Sequence, residues 1–165
     1  MLIFRRRISS LFPLIRRFKY RDLEIEFRKS LEAAVEKSRA ALPAQSATPT
    51  VPLLPDRVYS LAELSPRAAI LEAWLKVEEA GIDALREKDP SFDSKRMLPP
   101  LRLGELLNQN QIINGKQLEI FHQLRDLRNK AAHMINAVFS SDEAAKYISL
   151  AAALASQISR GSYGS

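Results

Sequence analysis

Both histidines of the 165-residue sequence, His122 and His133, lie in the segment LEIFHQLRDLRNKAAHMINAVF (118–139), interleaved with Asp126, Arg128 and Asn129. Histidine changes charge near neutral pH and readily ligates metals, so these positions could carry chemistry. A helix turns about 100° per residue. On that spacing Ile120, Leu124, Leu127, Ala131, Ile135 and Val138 share one side, the expected core face. His122, Asp126, Asn129 and His133 form a narrow polar stripe opposite, and Arg128 falls at the margin. A metal could use His122 and Asp126, but His133 lies nearly three turns further on, so no metal ligands are assigned. Two readings remain at this level. The stripe is a hydrated outer face with no task, or it is a polar seam against a second copy of the chain. In a two-fold dimer a helix meets its own image, which would bring Asn129 and His133 of two chains together.

The elements that must position this segment read as an all-α protein, an up-down bundle of about four helices preceded by a basic arm and helix. Residues 20–42 place Leu23, Phe27, Leu31, Val35 and Leu42 at helical spacing, although Leu23, Ile25 and Phe27 also alternate as a short strand would. Four prolines over 43–55 mark a linker, extended to residue 60, that separates residues 1–42 from a domain over 61–160. Ser65-Pro66 opens a helix to about Lys88, with Ile70, Leu71, Trp74, Val77, Ile82 and Leu85 on one face. A loop over 89–100 leads to a short helix near 101–110, Asn114-Gly115 is a turn, and a long helix spans about 116–138. Ser140-Ser141-Asp142-Glu143 caps a last helix to about Ser159, and residues 161–165 are expected to be disordered.

Glu78 lies between Leu71 and Leu85 on the apolar stripe of the 66–88 helix. An unpaired carboxylate there would be costly, so a salt bridge to Arg128, or failing that to Arg125, is expected.

Composition removes many activities. With no cysteine there is no disulfide, thiol nucleophile or Cys-ligated metal site, and five glycines form no phosphate-binding loop. The net charge of +6 is local. Arg5, Arg6, Arg7, Arg16, Arg17, Lys19 and Arg21 occupy an N-terminal arm free of acids, leaving 18 of the 25 basic side chains against all 19 acids. A broad basic groove on the body is therefore not expected. The arm interleaves arginines with Leu, Ile and Phe and has no apolar run long enough to span a bilayer. Such a segment suits an anionic membrane surface, and RNA phosphates would satisfy the same composition.

LRDLRNKAAH (124–133) resembles the Arg-x4-6-His motif of HEPN domains, with Arg128 and His133 as its ends and Asn129 after the arginine. SPRAAILEAWLKVEEA (65–80) is similar to the partner helix in the DUF4145-like branch of that superfamily. Together they cover about residues 64–138. The resemblance implies a cytoplasmic helical homodimer, needing no cofactor, that is a metal-independent endoribonuclease of defence or toxin-like systems in some members and a non-catalytic dimerisation or RNA-sensing module for a protein partner in others. In the first case His133 would move the proton of the RNA 2′-hydroxyl, Arg128 would bind the phosphate and Asn129 would orient them, with Glu78, Arg125, Asp126 and His122 supporting. The near-neutral body offers RNA few further contacts, which favours the non-catalytic case. The arm is similar to the cytoplasmic flank of a single membrane span in related proteins, which raises the expectation of a start upstream of Met1 and of a location at the inner membrane face. A membrane-surface adaptor driven by the arm is the third reading.

Overall fold

The computed structural model describes residues 12–42, 56–92, 98–134 and 137–163, leaving aside the side chains of 12–21, 56 and 163. The described residues form helices α1 (Phe12–Ala41), α2 (Asp56–Leu64), α3 (Pro66–Lys88), α4 (Pro100–Gln109), α5 (Gly115–His133) and α6 (Ser141–Tyr163), with no strand among them. The chain is all-α, as the periodicity suggests. No described helix is long and apolar enough to cross a membrane.

α3 is the hub, touching α2, α4, α5 and α6, and its contact with α6 is the most extensive between described helices. Both helices bury alanines, Ala69, Ala73 and Ala84 on α3 and Ala144, Ala151 and Ala155 on α6, small side chains that suit close packing. Trp74 lies edge-on to Phe121 and ties α3 to α5. α1 joins the same core through Phe27, Leu31 and Ala34, so residues from about 23 onward pack with the domain rather than apart from it. The alternative of a short strand fails on Ile25, which is half exposed while Phe27 is fully buried, as one helix would place them.

Ion pairs report the helix directions. Glu26–Lys130 and Lys37–Glu119 run oppositely along α1 and α5, whereas Arg28–Glu143 and Glu32–Lys146 run together along α1 and α6. Arg67, in the first turn of α3, donates to the Met134 and Ala137 carbonyls and lies over the Phe139 ring, so α3 begins where α5 ends and α6 begins. α1, α3 and α6 therefore share a direction and α5 opposes them. Four helices in strict alternation would set α3 and α6 antiparallel, and the ten-residue α4 is too short to act as a full return stroke.

Several boundaries differ from expectation. α1 starts at Phe12 rather than near residue 20, so the second half of the arm is helical. Residues 56–60, expected as linker, open α2, where Val58, Leu61 and Ala62 at helical spacing face the core. α5 begins at Gly115, with Asn114 as its cap rather than part of a turn: Asn114 accepts from the Gln117 N–H and the Gln117 side chain accepts from the Asn114 N–H. The turn before it centres on Gln111, which has φ 57°. α5 ends at His133 rather than at 138, and the following chain buries Ala137 and Phe139 and leaves Val138 78% exposed, against its expected place in the core. Ile135 lies outside the described residues.

α6 runs through Gly161 to Tyr163, part of the expected disordered tail. A Cβ on Gly161 would sit 2.1 Å from the Ile112 carbonyl oxygen, so only glycine lets the helix end lie against that backbone. At its other end Ser140 and Glu143 form the expected cap. Glu143 Oε2 accepts from the Ser140 N–H at 2.8 Å, and the Ser140 hydroxyl accepts from the Glu143 N–H at 3.2 Å.

Candidate functional site on α5

Along α5 the core face is filled as expected by the buried Ile120, Leu124, Leu127 and Ala131. Opposite them Asp126 and His133 are exposed, and His122 and Asn129 are half buried. The polar side chains divide into two groups rather than one.

The first group is Arg125, Asp126 and His122. Arg125 donates to one Asp126 carboxylate oxygen from Nε at 3.1 Å and from Nη2 at 2.7 Å. Its Nη1 lies 3.5 Å from His122 Nδ1. Burial holds the His122 pKa below its ordinary 6.5, and the Arg125 cation adds to that, against smaller opposing effects of Asp126 and Glu105. A neutral ring can accept from Arg125 through Nδ1, which agrees with that direction.

The second group is Arg128 and Asn129. Arg128 Nη1 donates to Asn129 Oδ1 at 3.0 Å, while its Nε is buried and without a partner. Glu78 does not pair with Arg128 or with Arg125, and the expected salt bridge is absent. Arg125 is held by Asp126, and Arg128 by its own neighbour, at a lower entropic cost than a bond between two helices. Glu78 and Arg128 instead both act on Tyr147, whose buried hydroxyl donates to the Leu124 carbonyl at 3.0 Å. Burial raises the Tyr147 pKa well above its ordinary value, Glu78 adds to the rise and Arg128 opposes it.

Arg128 and His133 do not converge within one chain. Five residues along a helix separate their directions by about 140° and their origins by about 7.5 Å. The structure thus joins Arg128 to Asn129 and leaves His133 apart. No group of three or more acids or histidines that could hold a metal ion occurs among the described residues. Arg5, Arg6 and Arg7 lie outside the described residues, and Arg16, Arg17, Lys19 and Arg21 occupy the N-terminal turns of α1.

Two residues absent from the sequence reading shape this region. Tyr147 is the buried polar group that senses both Glu78 and Arg128; helical spacing with Ala144 and Ala151 marks it for the core, but nothing local marks its hydroxyl's partner on α5. Arg67 had a signal: a cation in a helix's first turn opposes the helix dipole, so another partner must hold it there. That partner is the carbonyl pair at the end of α5. Comparison of the chain with protein-family models, with curated proteins and with solved structures finds no match.

Proposed function

We propose that this chain is a non-catalytic helical interaction module of the HEPN type, working as a homodimer through the outer face of α5 and held at the anionic inner surface of a membrane by its basic N-terminal segment. The observation that carries the non-catalytic reading is the state of Arg128. Its Nε is buried, its Nη1 is engaged by Asn129, and His133 leaves the helix about 140° away. A phosphate-binding arginine would need its planar fork open beside the proton-transferring histidine. The half-buried Asn129 and exposed His133 remain available to a second copy or to a protein partner.

The exposed His133 also favours a second reading. A two-fold dimer bringing His133 of one chain to Arg128 of the other would assemble a metal-independent endoribonuclease. Incubation of the purified chain with total RNA, alongside light scattering, tests both. The module gives a dimer at tens of micromolar, a rough range for transient pairs, and no RNA cleavage that His133→Ala removes. Cleavage that survives chelator but falls roughly 10²-fold in His133→Ala, the usual scale of acid–base catalysis, replaces the module by the ribonuclease. A monomer overturns both.

A further inference from the structure

The two most exposed large apolar side chains of the described chain are Leu64, at 85%, and Val138, at 78%. They come from different elements but the same end of the bundle. Leu64 closes α2 just before α3, whose first-turn Arg67 grips the carbonyls of Met134 and Ala137. Val138 follows at once, and its N–H donates to Glu24 of α1 at 2.9 Å. Ile25, 47% exposed, is the next residue of α1. This end therefore presents three apolar side chains to solvent from three separate segments.

α1 does not stop at this level. It continues to Phe12, and at about 1.5 Å per residue that carries the helix roughly 16 Å beyond Leu23. The helix positions in this extension include Arg16, Arg17, Lys19 and Arg21, with no acid before Asp22. Acids are present at this end too, Asp22, Glu24, Glu26, Glu63 and Asp142, but Glu24 is engaged by the Val138 N–H and Glu26 by Lys130, which leaves three against the four basic positions 16, 17, 19 and 21 of α1. Apolar tips beside a concentrated positive charge match an anionic bilayer, where apolar side chains enter the interface while basic ones meet the headgroups.

We propose that this end of the bundle, built on Leu64, Val138 and Ile25 beside the N-terminal turns of α1, is a docking surface for anionic lipid and orients the domain end-on to the membrane. The proposal rests on the membrane reading above and adds the body's own contact to that of the basic segment. The other end of α3 then points away from the lipid, so the α5 face stays open sideways to a partner.

The sequence has no cysteine, which makes a single introduced one a clean reporter. Full-length Val138→Cys and Ser91→Cys, the latter just beyond the far end of α3, are labelled with an environment-sensitive dye. Each is titrated with phosphatidylcholine vesicles with and without phosphatidylglycerol. The expected result is a blue shift at position 138 only, and only with phosphatidylglycerol. In parallel, Leu64→Glu/Val138→Glu should bind these vesicles about tenfold or more weakly, from the loss of two inserted apolar groups and the repulsion of two added carboxylates by the headgroups. Its salt dependence should persist. Replacement of Arg16, Arg17, Lys19 and Arg21 by Gln, which removes four of the segment's seven positive charges, should weaken binding and reduce that salt dependence. Wild-type affinity in the double glutamate variant, or equal shifts at both labels, overturns the docking surface while leaving the basic segment's role intact. Binding by the glutamine variant equal to wild type overturns the membrane reading itself, as does binding of the wild type to single-stranded RNA and not to vesicles.

Discussion

α5 and α6 begin alike and are used differently. Each opens with a reciprocal cap, Asn114 with Gln117 and Ser140 with Glu143. α6 then buries Ala144, Tyr147, Ile148, Ala151, Leu154, Ala155 and Ile158 and ends pressed against the Ile112 backbone. α5 buries one face and keeps the other polar, its arginines tied to immediate neighbours rather than to other helices. Both pack on four other helices, so substitutions on the buried face of either should cost stability. A helix with one free, locally satisfied face can be altered there at little cost to the fold. Such a face is where binding can be placed.

Glycine substitution should break that contrast most sharply. Gly161→Ala puts a methyl group 2.1 Å from a carbonyl oxygen that cannot move without the backbone. A loss of about 3 kcal/mol, at the upper end for overpacking, should lower Tm by roughly 6–12 °C for a chain of this size. Gly115→Ala, in the first turn of α5, meets nothing within 4 Å. It should raise stability by about 0.4–1 kcal/mol, because alanine narrows the unfolded ensemble. Thermal melts of the two variants should move in opposite directions. A neutral Gly161→Ala would mean that the end of α6 is not pinned.

The caps come next in size. Ser140→Ala and Asn114→Ala should each cost about 1 kcal/mol. The loss at Ser140 should be the larger, because Glu143 also accepts from Arg28 of α1 at 3.0 Å. Urea midpoints in the opposite order would undercut the view of α6 as the more firmly tied helix.

Much of this division was open to sequence reading. Ser65-Pro66 and Ser140 with Glu143 mark helix starts through chemistry confined to a few residues, and the structure begins a helix at each, although the Ser65 side chain makes no capping hydrogen bond and Pro66 at the first position carries that start. The two faces of α5 also followed from 100° spacing, save that Val138, expected on the core face, lies beyond the helix end and is exposed. What stayed hidden depends on partners distant in sequence. Nothing near residue 134 ends a helix, and the donor that takes those carbonyls is Arg67. α2 lies just behind a run of prolines whose composition masks Val58, Leu61 and Ala62. At the candidate site, spacing placed Arg128 and Glu78 facing one core but could not rank Asn129, one residue away, above Glu78, fifty residues away.

Acid should separate the two helices by pH. His122 on α5 has a pKa held below 6.5, so between its folded and ordinary values the unfolded chain binds more protons, and stability falls as pH drops through that window. At Glu143 on α6, burial alone would raise the carboxyl pKa, but the Ser140 N–H, Arg28 and the Ser140 hydroxyl hold it below 4.5. Its contribution is complete above the ordinary carboxylate value and is lost as pH falls through the lower folded value. Urea unfolding against pH should therefore show a first decline below about pH 6.5, absent in His122→Gln, and a second in the acid range, reduced in Glu143→Gln. A single decline shared by all three proteins would dissolve the distinction.

The smallest expected effect on stability is also the one closest to function. His133 is exposed at the end of α5 and stands apart from Arg128, with no hydrogen bond or ion pair to it among the described residues. His133→Ala should therefore stay within about 0.5 kcal/mol of wild type, as surface substitutions usually do. If the outer face of α5 is the self-association surface, the same change should still weaken the dimer, since Asn129 and His133 would meet their images across a two-fold axis. Analytical ultracentrifugation of wild type, His133→Ala and Asn129→Ala, each with its thermal melt, reads both quantities. Asn129→Ala separates the two roles of that residue, because it also frees Arg128 Nη1 from its partner at 3.0 Å. A dimer weakened in both variants, with melts unmoved in His133→Ala, places the interface on this face. Unchanged association in both variants would leave α5's polar stripe a hydrated surface and move the search for a partner site elsewhere.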